Sequence, residues 1–90
     1  MKQFSLFSTQ NDYLLLTRSV KGRVRYYLLK IEETLFGEYV LEKIYGSMSH
    51  NKPTRVLREY YTSWIEAKKR LKIVVHAKKK KGYEPLVPTI

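Results

Sequence analysis

Four consecutive lysines, Lys78 to Lys81, are the residues of this 90-residue chain whose type and spacing most plainly announce a chemistry. Adjacent ammonium groups repel one another and favour whatever neutralises them, above all phosphates that release counterions on contact. Lys68, Lys69 and Lys72 precede the run, and eight of the fourteen residues from Lys68 to Lys81 are Lys or Arg. That is more positive charge than a helix needs to complement its own dipole. Residues 62–90 hold eight basic and two acidic side chains, whereas residues 1–61 hold ten and six, so most of the net charge of +10 sits in the last third. Such a field attracts polyanions, whether nucleic acid, a phospholipid surface or an acidic protein.

Other chemistries find little support. His50 and His76 are the only histidines and there is no cysteine. No pair of histidines or carboxylates has a ligand spacing such as HExxH, so no metal or cofactor is expected. Glycines 22, 37, 46 and 82 are scattered and read as turns or caps, not as a phosphate loop, and an enzyme is not expected. Without cysteine there is no disulfide frame. Met1 to Thr9 lacks the apolar core of a signal peptide, and no run approaches the roughly 20 apolar residues that cross a bilayer, so a cytoplasmic protein is expected.

The lysines need a scaffold, and its main element is legible. Ser63 to Tyr83 opens with Ser63 and Glu66 at capping-box spacing. Trp64, Ala67, Leu71, Val74 and Val75 recur at helical intervals as a stripe to be buried, and Gly82 followed by Pro85 marks the stop. Because Trp64 lies on that stripe, it is not free to anchor the helix in a membrane.

Upstream the period changes. Phe4, Leu6 and Phe7 mark a short first strand, ended by Asn11 and Asp12; Tyr13 to Arg18 and Val24 to Glu32 flank a Lys21-Gly22 turn as a hairpin. In the latter, Tyr27, Leu29 and Ile31 share one face and Tyr26, Leu28 and Lys30 the other. Thr34 to Gly37 interrupts, Glu38 to Tyr45 resumes with Tyr39, Leu41 and Tyr45 opposite Val40 and Ile44, and Gly46 to Thr54 is a loop. Arg55 to Tyr61 is the last strand before the helix. The expectation is an α+β domain over residues 1–84, an antiparallel sheet of about five short strands with one long C-terminal helix on one face, and a flexible tail at 85–90.

Two segments, LFGEYVLEKIYGS from Leu35 to Ser47 and EAKKRLKIVVHAKKKKGYEP from Glu66 to Pro85, resemble the WGR domain, especially its stand-alone bacterial form. The resemblance runs from about Tyr13 to Tyr83. It implies a sheet with one helix against it and a non-catalytic nucleic-acid-binding role, best known in DNA-damage-responsive ADP-ribosyltransferases. The Trp-Gly-Arg signature falls on Tyr45, Gly46 and Ser47, so the aromatic is conservatively replaced, the glycine kept and the arginine lost. Serine offers one hydroxyl where arginine offers a planar fork for phosphate.

The candidate nucleic-acid-binding residues are therefore Tyr45 and Ser47 at the signature, Lys43, Lys52, Arg55 and Arg58 near it in sequence, and Lys68, Lys69, Lys72, Lys78, Lys79, Lys80 and Lys81 on the helix. Tyr45, Tyr60 and Tyr61 are the aromatics able to offer a stacking surface. The leading expectation is a DNA-binding or broader nucleic-acid-binding module. The alternative is a protein-interaction adaptor whose basic helix docks an acidic partner, a reading that the loss of the signature arginine supports.

Overall fold

A computed structural model describes residues 12–86. Strands β1 (Asp12–Val20), β2 (Arg23–Glu33), β3 (Tyr39–Ser47) and β4 (Arg55–Tyr61) lead into helix α1 (Trp64–Lys80), and a two-residue strand β5 (Glu84–Pro85) follows. All five belong to one antiparallel sheet in the order β4-β3-β2-β1-β5. The expected α+β architecture, with a single C-terminal helix on a five-stranded sheet, is the one observed. The first expected strand, around Phe4 and Leu6, lies outside the described residues. The fifth described strand comes from the segment after the helix, where Leu86 N–H also donates to the Leu15 carbonyl at 2.8 Å.

Alternation along the strands decides what the helix covers. Leu16, Leu29, Ile31 and Leu41 are fully buried and form the core with Tyr27, Ala67, Leu71 and Val74; Leu14, Tyr39, Tyr45, Tyr61, Trp64 and Val75 pack around them. Each fully buried aliphatic contributes about 1.5–3 kcal/mol by leaving water. The opposite residues of the same strands, Leu15, Leu28, Ile44 and Val56, line up across the other face by register.

Both helix ends follow from local chemistry. Ser63 Oγ accepts from Glu66 N–H at 3.2 Å, which is half of the expected capping box; the Glu66 carboxylate instead accepts from the Thr62 hydroxyl at 3.5 Å. At the far end Gly82 N–H donates to the Lys79 carbonyl at 3.0 Å and Tyr83 N–H to the Lys78 carbonyl at 3.1 Å, with Gly82 at φ +100°. This is a Schellman ending, and it turns the chain back so that Tyr83 packs on the core and Glu84 pairs with Thr17.

Candidate nucleic-acid interface

The helix runs from the β4 end of the sheet toward β1, and its last turn finishes over the end where the β1–β2 turn and the β3–β4 loop lie. Lys78 Nζ stands 4.4 Å from the centroid of the Tyr27 ring and 5.9 Å from that of Tyr83. Tyr27 and Tyr45 are cross-strand partners whose rings stack with centroids 5.1 Å apart and planes 3° from parallel, and Tyr83 meets Tyr27 edge-on at 6.2 Å. The signature aromatic is thus half-buried in a tyrosine cluster, with Tyr27 as its partner on one side and Arg55 on the other. Burial, then the neighbouring Tyr45, Glu59 and Tyr83, push the Tyr27 hydroxyl above the ordinary tyrosine range. Burial first, and repulsion from Lys81 and Lys43 next, hold the Lys78 ammonium below the ordinary lysine range.

Further cations stand at this end of the sheet and make up its rim. Lys79, Lys80 and Lys81 are exposed at the helix end, Lys52 is exposed in the loop, and Arg55 is exposed at the start of β4. The signature glycine explains the placement of that loop. A Cβ on Gly46 would meet Thr54 N at 2.9 Å and Pro53 Cα at 3.2 Å, so the loop closes directly against it, and Thr54 N–H donates to the Tyr45 carbonyl at 2.8 Å. Only glycine permits so close a backbone approach. Ser47 Oγ lies 2.9 Å from Ser49 Oγ and accepts from Ser49 N–H at 3.4 Å, so its hydroxyl serves the turn.

The remaining candidates stand elsewhere. Lys43 is buried on the helix side, its Nζ 2.7 Å from Glu59 Oε2. Glu59 also accepts from the Tyr61 hydroxyl at 2.7 Å and faces Arg70 at 3.6 Å; the Lys43 hydrogen bond chiefly holds its carboxyl below the ordinary range. Arg58 lies on the face away from the helix, bonded to Glu42 at 2.8 Å, and exposed Tyr60 shares that face. Lys68 Nζ is 5.1 Å from the centroid of the Trp64 ring, near the helix start. Lys69 and Lys72 are exposed on the helix. Lys69 is nine positions before Lys78, or about 13 Å along the axis at 1.5 Å per residue.

Four basic residues at the same end escaped sequence reasoning: Arg18, Lys21, Arg23 and Arg25. Lys21 and Gly22 form the turn between Val20 and Arg23, and this register sets Arg18 opposite Arg25. The signal was present, since counting outward from the Lys21-Gly22 turn pairs the two arginines. Arg18 reaches under the helix end, with its guanidinium carbon 6.0 Å from the Tyr83 centroid and its Nε 3.6 Å from where a Gly82 Cβ would lie. A shallow cavity of about 340 Å³ opens beside it, lined by Thr17, Arg18, Ser19, Val24, Gly82 and Glu84.

Acids gather at the opposite end. Glu33 and Glu38 flank the β2–β3 turn, with Glu32 beside them, and Glu66 lies in the first helical turn beyond Tyr61, the partner of Tyr39. Among the described residues no three His, Asp or Glu side chains group to hold a metal ion, and no helix is long and apolar enough to cross a membrane.

A one-layer antiparallel sheet backed by a single helix, with exposed cations and a tyrosine cluster toward one end, makes this a small basic α+β domain. The chain belongs to the WGR domain family, whose model matches residues 10–89. WGR domains are nucleic-acid-binding modules and not catalytic ones. Neither the curated proteins nor the solved structures yield a significant match.

Proposed function

We propose that this chain binds DNA, chiefly through phosphates, at the end of the sheet where Lys78–Lys81, Lys52 and Arg55 surround Tyr45. The observation that carries the reading is the separation of committed from uncommitted cations. Lys43 and Arg58 are bonded to Glu59 and Glu42, whereas Lys79, Lys80, Lys81, Lys52 and Arg55 make no ion pair with another described residue. A polyanion meeting this rim displaces counterions without first breaking salt bridges. Among the described residues Tyr45 stacks on Tyr27 and has Arg55 as its register partner on the other side, a setting that suits contact with a sugar or base.

Fluorescence anisotropy with labelled blunt duplex, 5′-phosphorylated duplex, single-stranded DNA and RNA tests the reading. If about five phosphates are engaged, log K falls against log salt with a slope near −4.5. Changing Lys78–Lys81 to Gln weakens binding to all sequences alike and flattens that slope. Absence of binding to every probe at about 50 mM salt, where phosphate contacts are strong, would set the reading aside in favour of an acidic protein partner for the same rim.

A further inference from the structure

On the helix side of the sheet, just beyond the end of α1, register aligns Arg18, Arg25 and Ser47 on three adjacent strands. Met48 N–H donates to the Val24 carbonyl at 2.9 Å, which makes Val24 and Met48 a hydrogen-bonded pair. The next pair, Arg25 and Ser47, is consequently of the closely spaced kind, with Cα atoms about 4.5 Å apart and side chains leaning together. A long side chain at 25 and one at 47 therefore compete for one volume above the sheet. Ser47 is small and its hydroxyl is turned to Ser49, which leaves that volume to the Arg25 fork.

Arg25 is exposed, and its guanidinium makes no ion pair or hydrogen bond with another described residue. It also faces Arg18 directly across the β1–β2 pair. Like charges so opposed are unfavourable by themselves and become favourable when an anion lies between them. Two residues further along β2 and β3 stand Tyr27 and Tyr45, with the Lys78 ammonium over the former.

We propose that Arg25, with Arg18 beside it, is the phosphate-gripping arginine of this module, placed across the strand pair from the signature position that Ser47 occupies. The guanidinium missing from β3 is supplied by β2, and Ser47 makes room for it. The assignment rests on the phosphate-binding reading above and adds to it a particular residue with a particular geometry.

A strand-swap series tests it on the intact chain, with anisotropy against blunt duplex as the readout and thermal melts to confirm that each variant folds. Arg25→Ser weakens binding about tenfold and reduces the salt slope by about one, as expected for loss of a single charged phosphate contact. The double variant Arg25→Ser with Ser47→Arg recovers to within about threefold of the parent, because the close pair puts both forks in one place. Arg25→Lys retains the slope but recovers less of the affinity, since an ammonium lacks the planar fork. Duplexes with and without a 5′-phosphate distinguish a terminal phosphate from a backbone one. If Arg25→Ser binds like the parent while the Lys78–Lys81 variant is impaired, the arginine assignment fails and the phosphate reading survives. If the folded double variant shows no recovery, the shared position of the two forks is refuted. A parent protein that binds no nucleic acid overturns both.

Discussion

The Lys78 ammonium lies 4.4 Å from the Tyr27 centroid, so the first lysine of the basic run caps the core while the next three point to solvent. A cation over an aromatic face gains about 0.5–2 kcal/mol depending on exposure, and part of that is spent on desolvating the ammonium. The four lysines are therefore not equivalent. Lys78 joins the rim to the scaffold, and Lys79–Lys81 extend it.

This difference has a pH signature. Lys78 is held below the ordinary lysine value by burial and by Lys81 and Lys43, so between its folded value and the ordinary value of about 10.4 the unfolded chain binds more protons than the folded one. Stability contributed at this site therefore rises as pH increases through that window. Lys78→Gln removes the increment. Urea denaturation of parent and variant at several alkaline pH values measures it as a difference, and parallel curves would show that Lys78 does not titrate separately in the fold.

The Lys43–Glu59 bridge is expected to be structural. Glu59→Ala leaves a buried ammonium without its carboxylate and costs about 1–3 kcal/mol. Lys43→Met, which removes the charge but keeps the packing, costs less than about 1 kcal/mol. Glu59 is held below the ordinary carboxylate range, so its stabilisation is complete above the unfolded value of about 4.3 and is lost as pH falls toward the depressed folded value. Denaturant melts from pH 6 down to acid check both the ranking and the direction.

Gly46→Ala forces a Cβ to within 2.9 Å of Thr54 N, a backbone atom that cannot swing aside. A loss of about 1–3 kcal/mol is expected from overpacking. Affinity for duplex falls as well, because the displaced loop carries Lys52 and leads into Arg55. Thermal melts and anisotropy on one preparation test the pairing of the two effects; a loss of stability with unchanged affinity would detach the loop from the interface.

At the acidic end, Leu35 and Phe36 are 100% and 90% exposed at the tip of the β2–β3 turn, where Thr34 Oγ1 accepts from Phe36 and Glu38 N–H. Leu35→Ser and Phe36→Ser should each change stability by less than about 0.5 kcal/mol, the range for surface positions without a partner. They should also leave duplex affinity unaltered, because the tip is at the end of the sheet remote from the rim. Denaturation midpoints and anisotropy report the two expectations separately.

Short-range physics made much of this fold legible. The alternation of Tyr27, Leu29 and Ile31 and of Tyr39, Leu41 and Tyr45 correctly assigned the faces of β2 and β3, because each side of a pleated strand repeats every two residues. Ser63 and Gly82 bracketed the helix because caps act within a single turn of backbone. The segment after Gly82 was harder to place. Its prolines suggest a tail, yet Glu84–Pro85 pairs at the sheet edge, where a missing donor is tolerated.

The sequence by itself determined that this chain is a basic α+β domain with a capped cationic helix, because period, capping and composition are written in neighbouring residues. Only the tertiary structure decided which cations remain available. Lys43 meets Glu59 and Arg58 meets Glu42 across sixteen residues of chain, while Arg25 is brought beside Ser47 and makes no ion pair with another described residue. Charge adds up along a sequence, but its neutralisation depends on strand register and face, which are set by packing between distant segments.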